Sequence, residues 1–227
     1  MIGVVFPSYR IPEHRLRDHF AWNEQFYQEG VRVFAVTDKQ YDVPPYAECV
    51  VFPEERLPLI DGMRVFATTR CRNAGIRAAI EANCDPIIVT DVDISFEPVA
   101  WQAMLTVSES KMPVAQIPYC RMSETNDWHS RHNLPSVFAP LATGTIAMQA
   151  VDWKQVSYCE EQWAYGCDDG WVEKRIAAAG IQIRRTGEIY HMAHEDGACQ
   201  KEFEGRNDHW NRANGFNPDN FEHNLKF

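Results

Sequence analysis

The run Pro86-Ile87-Ile88-Val89-Thr90-Asp91-Val92-Asp93 settles what kind of sheet this chain builds. Its β-branched core is too short for a helix and reads as a strand buried on both faces. It ends on two carboxylates one residue apart, and carboxylates held that close repel unless a cation neutralises them. A buried strand that empties such a pair into a loop is typical of the carboxyl edge of a parallel α/β sheet. The bland alternative is a plain turn, because Asp is common after strands.

Upstream, residues 2–6 form a second apolar run ending at Pro7-Ser8, and 31–37 a third ending at Asp38. Residues 12–30 place Leu16, Phe20, Asn23 and Tyr27 on one helical face, with Gly30 as the stop. A second helix is expected from a Thr68/Thr69 cap through Arg72, Ile76, Ala79 and Ile80 to Asn83. Downstream, 101–107 reads as helix and 112–117 as strand. The alternation gives an α/β fold, a doubly wound and mostly parallel sheet flanked by helices. Loops 7–10, 37–38 and 91–93 then all fall at carboxyl ends of strands, where such folds bind ligands.

The stretch 119–140 breaks this order, with no helical or strand period through Asn126-Asp127-Trp128-His129-Ser130-Arg131-His132. A loop that long in a compact domain is usually functional or disordered. Further on, 143–148 reads as strand, 169–179 as a helix stopped by Gly180, and 181–185 as strand. The polar tail 205–227 carries Trp210, Phe216, Phe221 and Phe227 and is expected to wrap over the surface.

The chain has 227 residues, a hydrophobic content of 45% and a formal charge of −10. Its length suits a single domain, 1–227. The acidic balance argues against a partner gripped by its phosphates, so nucleic acid is not expected, although Arg64, Arg70, Arg72 and Arg77 can build a local basic pocket. Seven cysteines, at 49, 71, 84, 120, 159, 167 and 199, show no CxxC spacing and read as reduced thiols. No apolar run reaches the ~20 residues of a membrane span. The expected location is cytoplasmic.

Three further groups carry chemistry. Tyr190-His191-Met192-Ala193-His194 places two imidazoles three apart, the spacing of ligands on a helical turn or tight loop. Alone the pair reads as surface histidines; joined to Asp91 and Asp93 it completes the oxygen and nitrogen donors that Mn²⁺ (or Mg²⁺) accepts. Asp168 and Asp169 open a helix, where the dipole favours them and also keeps a general base ionised. Arg70, Arg72 and Asn73 start a helix whose N-terminus faces the carboxyl ends, an arrangement suited to phosphate, with pairing of the arginines to surface acids as the competing reading.

These residues resemble the glycosyltransferases of the GT-A fold, nucleotide-sugar enzymes with a DxD metal motif. The segment from Trp163 through Tyr165, Gly166, Asp168 and Asp169 to Arg175 and Gly180 is similar to the aromatic-Gly-Gly-Glu-Asp stretch and following helix of the β-1,4-galactosyltransferase group. It is less close to polypeptide N-acetylgalactosaminyltransferases. Arg70-Cys71-Arg72-Asn73-Ala74-Gly75, Asp91-Val92-Asp93 and His191-x-x-His194 follow the family's motifs in order.

The resemblance implies a metal held by Asp93, His191 and His194, and a catalytic base at Asp169 beside Asp168. It implies donor contacts from Pro7, Ser8, Tyr9, Arg10, Asp38, Arg70, Arg72, Asn73 and Asp91. The acceptor side would draw on Trp128, Trp163, Tyr165 and Gly144. Residues 1–118 would form the nucleotide-sugar half and 119–204 the acceptor and catalytic half. A UDP-sugar would give its sugar to an acceptor hydroxyl with inversion. Cys167 replaces a family Gly, Gly170-Trp171 replace further acids, and His191 stands at a Met position.

Two other functions fit part of the pattern. A haloacid-dehalogenase-like phosphohydrolase also places DxD after a strand, but wants Thr or Val where this chain has Ser95, and its DxD near the first strand. A catalytically silent domain would bind nucleotide sugar or glycan without turnover.

Overall fold

The computed structural model describes residues 1–57, 59–60, 63–64, 67–123, 137–139, 144–158 and 168–193. In chain order the first half runs β1 (Ile2–Pro7), α1 (Glu13–Asn23), β2 (Val31–Thr37), β3 (Ala47–Val51), β4 (Leu59–Ile60), β5 (Met63–Arg64), α2 (Thr68–Glu81), β6 (Ile87–Val89), β7 (Ile94–Phe96) and α3 (Pro98–Leu105). The second half runs β8 (Val114–Gln116), β9 (Tyr119–Met122), β10 (Val137–Ala139), β11 (Ile146–Met148), α4 (Ala150–Val156), α5 (Asp168–Ala178), β12 (Gln182–Arg184) and β13 (Glu188–His191).

A central seven-stranded sheet has the order β12-β8-β11-β6-β1-β2-β3. Its pairs β2/β1, β1/β6, β2/β3 and β12/β8 are parallel. β11 runs antiparallel to both neighbours, so the strand expected at 143–148 forms but in the opposite direction to its neighbours. A second sheet, β10-β9-β13-β7, stands beside the first and begins directly after the carboxylate turn.

The two faces of the central sheet explain its continuous apolar runs. Val5, Phe34, Val36, Ile87 and Val89 pack under α2 with Cys71, Ile76 and Ala79. Val4, Phe6, Val33, Ala35 and Ile88 pack on the other face against Leu16, Phe20, Trp101 and Met104 of α1 and α3. α2 lies so close that a Cβ on Gly75 would overlap Val5 and come within 2.9 Å of Val36. Only glycine permits that approach.

The structure differs from expectation at several places. α1 stops at Asn23 rather than running to Gly30, because Asn23 turns inward and its amide nitrogen donates to Ile94 O (2.9 Å) while its oxygen accepts from Phe96 N (2.9 Å). The N-cap of α2 is Ala67; Thr68 and Thr69 lie inside the helix and make no cap bond. β9 and β10 occupy both ends of the supposed loop 119–140. His191 closes a strand rather than sitting on a helical turn. β3, β7, α4 and β13 are elements the hydrophobic pattern did not disclose.

Candidate active site

The carboxyl edge of the central sheet gathers the chemistry. β11 pairs Ile146 with Val89, and two residues further along that register Gly144 meets Asp91. The hydroxyls of Thr90 and Thr145, both fully buried, lie 2.7 Å apart and lock the two strands at this point. Gly144 has φ +56, and a Cβ there would overlap Asp91 Oδ2. The backbone at 144 therefore forms one wall of the Asp91 carboxylate.

The opposite wall is Arg72, one turn into α2. Its guanidinium donates to Asp91 Oδ1 at 2.5 Å, with side-chain exposures of 3% and 29%. The same guanidinium lies over the Tyr158 ring, 5.0 Å from its centre. A buried cation is costly unless paired, and here one carboxylate and one aromatic face share the work. Asn73 binds the Tyr158 backbone both ways, donating to its carbonyl (2.9 Å) and accepting from its N–H (2.8 Å). Asn73 thus clamps residue 158. Arg175 of α5 donates to Val156 O (3.1 Å from Nε) and so fixes the same segment from the other side.

Asp93 meets the histidine motif. β13 pairs antiparallel with β7, His191 opposite Ile94, and Met192 N donates to Asp93 O at 2.8 Å. That register brings His191 Nε2 to 3.3 Å from Asp93 Oδ2, with both side chains mostly enclosed at 27% and 17% exposure. Adjacent donors of a six-coordinate divalent ion with bonds of about 2.1 Å stand about 3 Å apart, so this spacing suits two ligands of one ion. A hard carboxylate oxygen with an imidazole nitrogen is the set Mn²⁺ tolerates. Among the described residues the two are not joined by a third His, Cys, Asp or Glu able to complete a metal group. His194 lies outside the described residues.

The loops expected on the donor side lie on the same edge. Ser8 N donates to Val36 O at 2.7 Å, which carries β1 into the loop; Ser8 is buried. Tyr9 packs edge-on against Phe52, and burial raises its hydroxyl pKa above the ordinary value. Arg10, with φ +56, pairs with Glu54 at 2.6 Å. Asp38 accepts from the Tyr41 hydroxyl at 3.1 Å, and burial together with that carboxylate pushes Tyr41 up to about 12. Arg70 faces away from Asp91: it donates to Arg56 O at 2.8 Å and lines, with Arg56, Arg77, Phe52, Glu55 and Leu57, an open hollow of about 360 Å³ on the flank of α2.

Asp168 and Asp169 are the first two residues of α5. β12, which α5 precedes, runs parallel to β8, so α5 starts on the carboxyl side of the sheet. Trp128, Trp163 and Tyr165 lie outside the described residues. Two residues at the site gave no signal in the sequence. Tyr158 follows a short helix with no motif around it, and His19 directly follows the charged stretch Glu13-His14-Arg15-Leu16-Arg17-Asp18 with no motif of its own.

No protein-family model matches the chain, and no curated protein sequence matches it. Solved structures do. The catalytic domain of Drosophila β1,4-galactosyltransferase 7, in complex with xylobiose, matches with TM-score 0.52 and 16% identity, over 92% of this chain and 80% of that one. GalNAc-T7 with UDP, GalNAc and Mn²⁺ matches with TM-score 0.57 and 11% identity, over 87% of this chain and 44% of that one. The chain therefore spans less than half of the second structure. What this likeness establishes is the architecture: the chain has the GT-A glycosyltransferase fold.

Proposed function

We propose that the protein is a metal-dependent glycosyltransferase that moves a sugar from a nucleoside-diphosphate donor to an acceptor hydroxyl. The observation that carries this reading is the meeting of Asp93 with His191, beside the Asp91–Arg72 pair, at the carboxyl edge of a sheet with this fold. UDP is the favoured nucleotide and Mn²⁺ the favoured ion, in line with the ligands of the GalNAc-T7 structure. Glycan is the favoured acceptor class, in line with the xylobiose bound to the galactosyltransferase domain.

Asp93 and His191 would hold the ion, with His194 as a further ligand. When bound, it supplies Lewis-acid stabilisation of the leaving diphosphate. Arg72 holds the Asp91 carboxylate in place and keeps a positive charge beside the diphosphate subsite. Pro7, Ser8, Tyr9, Arg10 and Asp38 form the floor for the nucleoside. Asp169, at the start of α5, takes the proton from the attacking hydroxyl, and attack opposite the leaving group inverts the anomeric centre. Trp128, Trp163 and Tyr165 are assigned to the acceptor side.

Transfer from a panel of UDP-sugars to short glycans tests this directly. Asp169→Asn is expected to bind UDP and Mn²⁺ as the parent does while turnover falls by about 10³. Turnover near the parent value would remove Asp169 as the base.

A further inference from the structure

We propose that His19 is a positioning residue for the carboxylate turn, holding the peptide carbonyl between Asp91 and Asp93 from the side opposite the ligands; this rests on the metal-dependent reading above. His19 is fully buried in α1, its ring 4.1 Å from that of Phe6 and close to Phe20 and Tyr27. Its Nδ1 lies 3.0 Å from Val92 O and its Nε2 2.7 Å from the Tyr27 hydroxyl.

A carbonyl oxygen can only accept, so Nδ1 carries the hydrogen; Nε2 then accepts from Tyr27. Burial pushes the pKa down to about 4, so the ring is neutral at pH 7 and keeps this one tautomer. An apolar side chain would fill the aromatic box without the cost of burying an imidazole. What the imidazole adds is the N–H to Val92.

The neighbouring contacts extend the same hold. β7 is the outermost strand of its sheet, with β13 on one edge only. Along its other edge, Asn23 donates to Ile94 O and accepts from Phe96 N. His19 and Asn23 together tie residues 92, 94 and 96 to α1, doing by side chains what a neighbouring strand would do by ladder bonds. Ligands that must meet an ion need support within about 0.5 Å, and here that support sits behind the turn.

The test is a Mn²⁺ titration of the full chain, reading free Mn²⁺ by electron paramagnetic resonance, with Tm measured beside it. His19→Phe keeps the box filled and removes the N–H; it should weaken Mn²⁺ about tenfold or more. His19→Asn returns an N–H near the Nδ1 position and should recover affinity to within about threefold of the parent. Leu16→Ala, in the same helix core, should lower Tm and leave affinity unchanged. Parent-like affinity in His19→Phe, or equal weakening in Leu16→Ala, overturns the proposal. Should His19→Phe not fold, His19→Leu takes its place: it also removes the N–H to Val92 and should weaken Mn²⁺ to a similar degree, and parent-like affinity there also overturns the proposal. A parent protein that binds no Mn²⁺ removes the metal reading itself, a result distinct from a parent that binds and a His19→Phe that binds equally.

Discussion

At Gly144 the backbone takes φ +56 and runs against the Asp91 carboxylate, so a side chain there meets both conformational strain and a collision. Gly144→Ala is expected to cost about 1–3 kcal/mol in stability and to push Asp91 off Arg72. Denaturant midpoints of the purified variant check the first, and weakened nucleotide binding the second. Arg72 is the more buried partner of its pair, so losing Asp91 removes a carboxylate from a guanidinium that is 3% exposed. Asp91→Ala should lower stability by about 2 kcal/mol, less than for a fully enclosed pair because Asp91 itself is 29% exposed. A parent-like Tm in that variant would show that the remaining contacts of Arg72 are enough to hold it. At this scale the sequence was legible where motifs are local. Asp91, Asp93 and His191 stand out by spacing. Arg72 stood out with Arg70 and Asn73, yet in the fold they meet different partners: Asp91, the Arg56 carbonyl and the Tyr158 backbone.

At the scale of the element, α1 and α2 do unlike things for the same site. α2 presses on β1 and β2 through Gly75, which sets how near its N-terminus and Arg72 come to the carboxyl edge. Gly75→Ala would overpack that contact and is expected to cost about 1–3 kcal/mol, read as a fall in Tm. α1 holds the carboxylate turn through His19, and this has a pH signature. Burial lowers the His19 pKa from 6.5 to about 4, outweighing the Val92 carbonyl and the Asp93 charge, which act the other way. Above pH 6.5 the residue is neutral in both states; as pH falls from 6.5 towards 4 the unfolded chain takes up a proton that the folded chain refuses. Stability therefore drops across that window, by about 3 kcal/mol in total from this residue. Thermal melts at pH 7 and pH 4.5 should show a smaller loss in His19→Asn than in the parent; equal losses would contradict the assignment. The strands β1, β2 and β6 and the helices α2 and α5 were readable because their apolar periods are strong. β7, β9 and β13 were not, because they gain their register from one another rather than from an apolar run. The reversed direction of β11 is a tertiary fact that no period encodes.

For the whole molecule, the site lies where the two sheets meet. The central sheet ends at Asp91, the turn passes Val92, and β7 opens the second sheet immediately after Asp93. β13 of the second sheet returns His191 to the same place, beside Asp93 of the turn that joins the sheets. That junction also explains why a chain with net charge −10 puts a buried arginine here: the carboxylates need a local counter-charge whatever the overall balance. The GT-A architecture was legible in the order of four motifs. The acceptor side was not, because Cys167 and Gly170-Trp171 depart from the family pattern there. The most direct test of the account is a thermal-shift titration with UDP in Mn²⁺ or EDTA, on the parent and on Asp93→Asn. UDP at about 100 times its Kd should stabilise the parent by about 2.7 kcal/mol in Mn²⁺. The same shift should vanish in EDTA and in Asp93→Asn. No shift in the parent, or a shift that survives EDTA and the substitution, would contradict a metal-dependent nucleotide site at this edge.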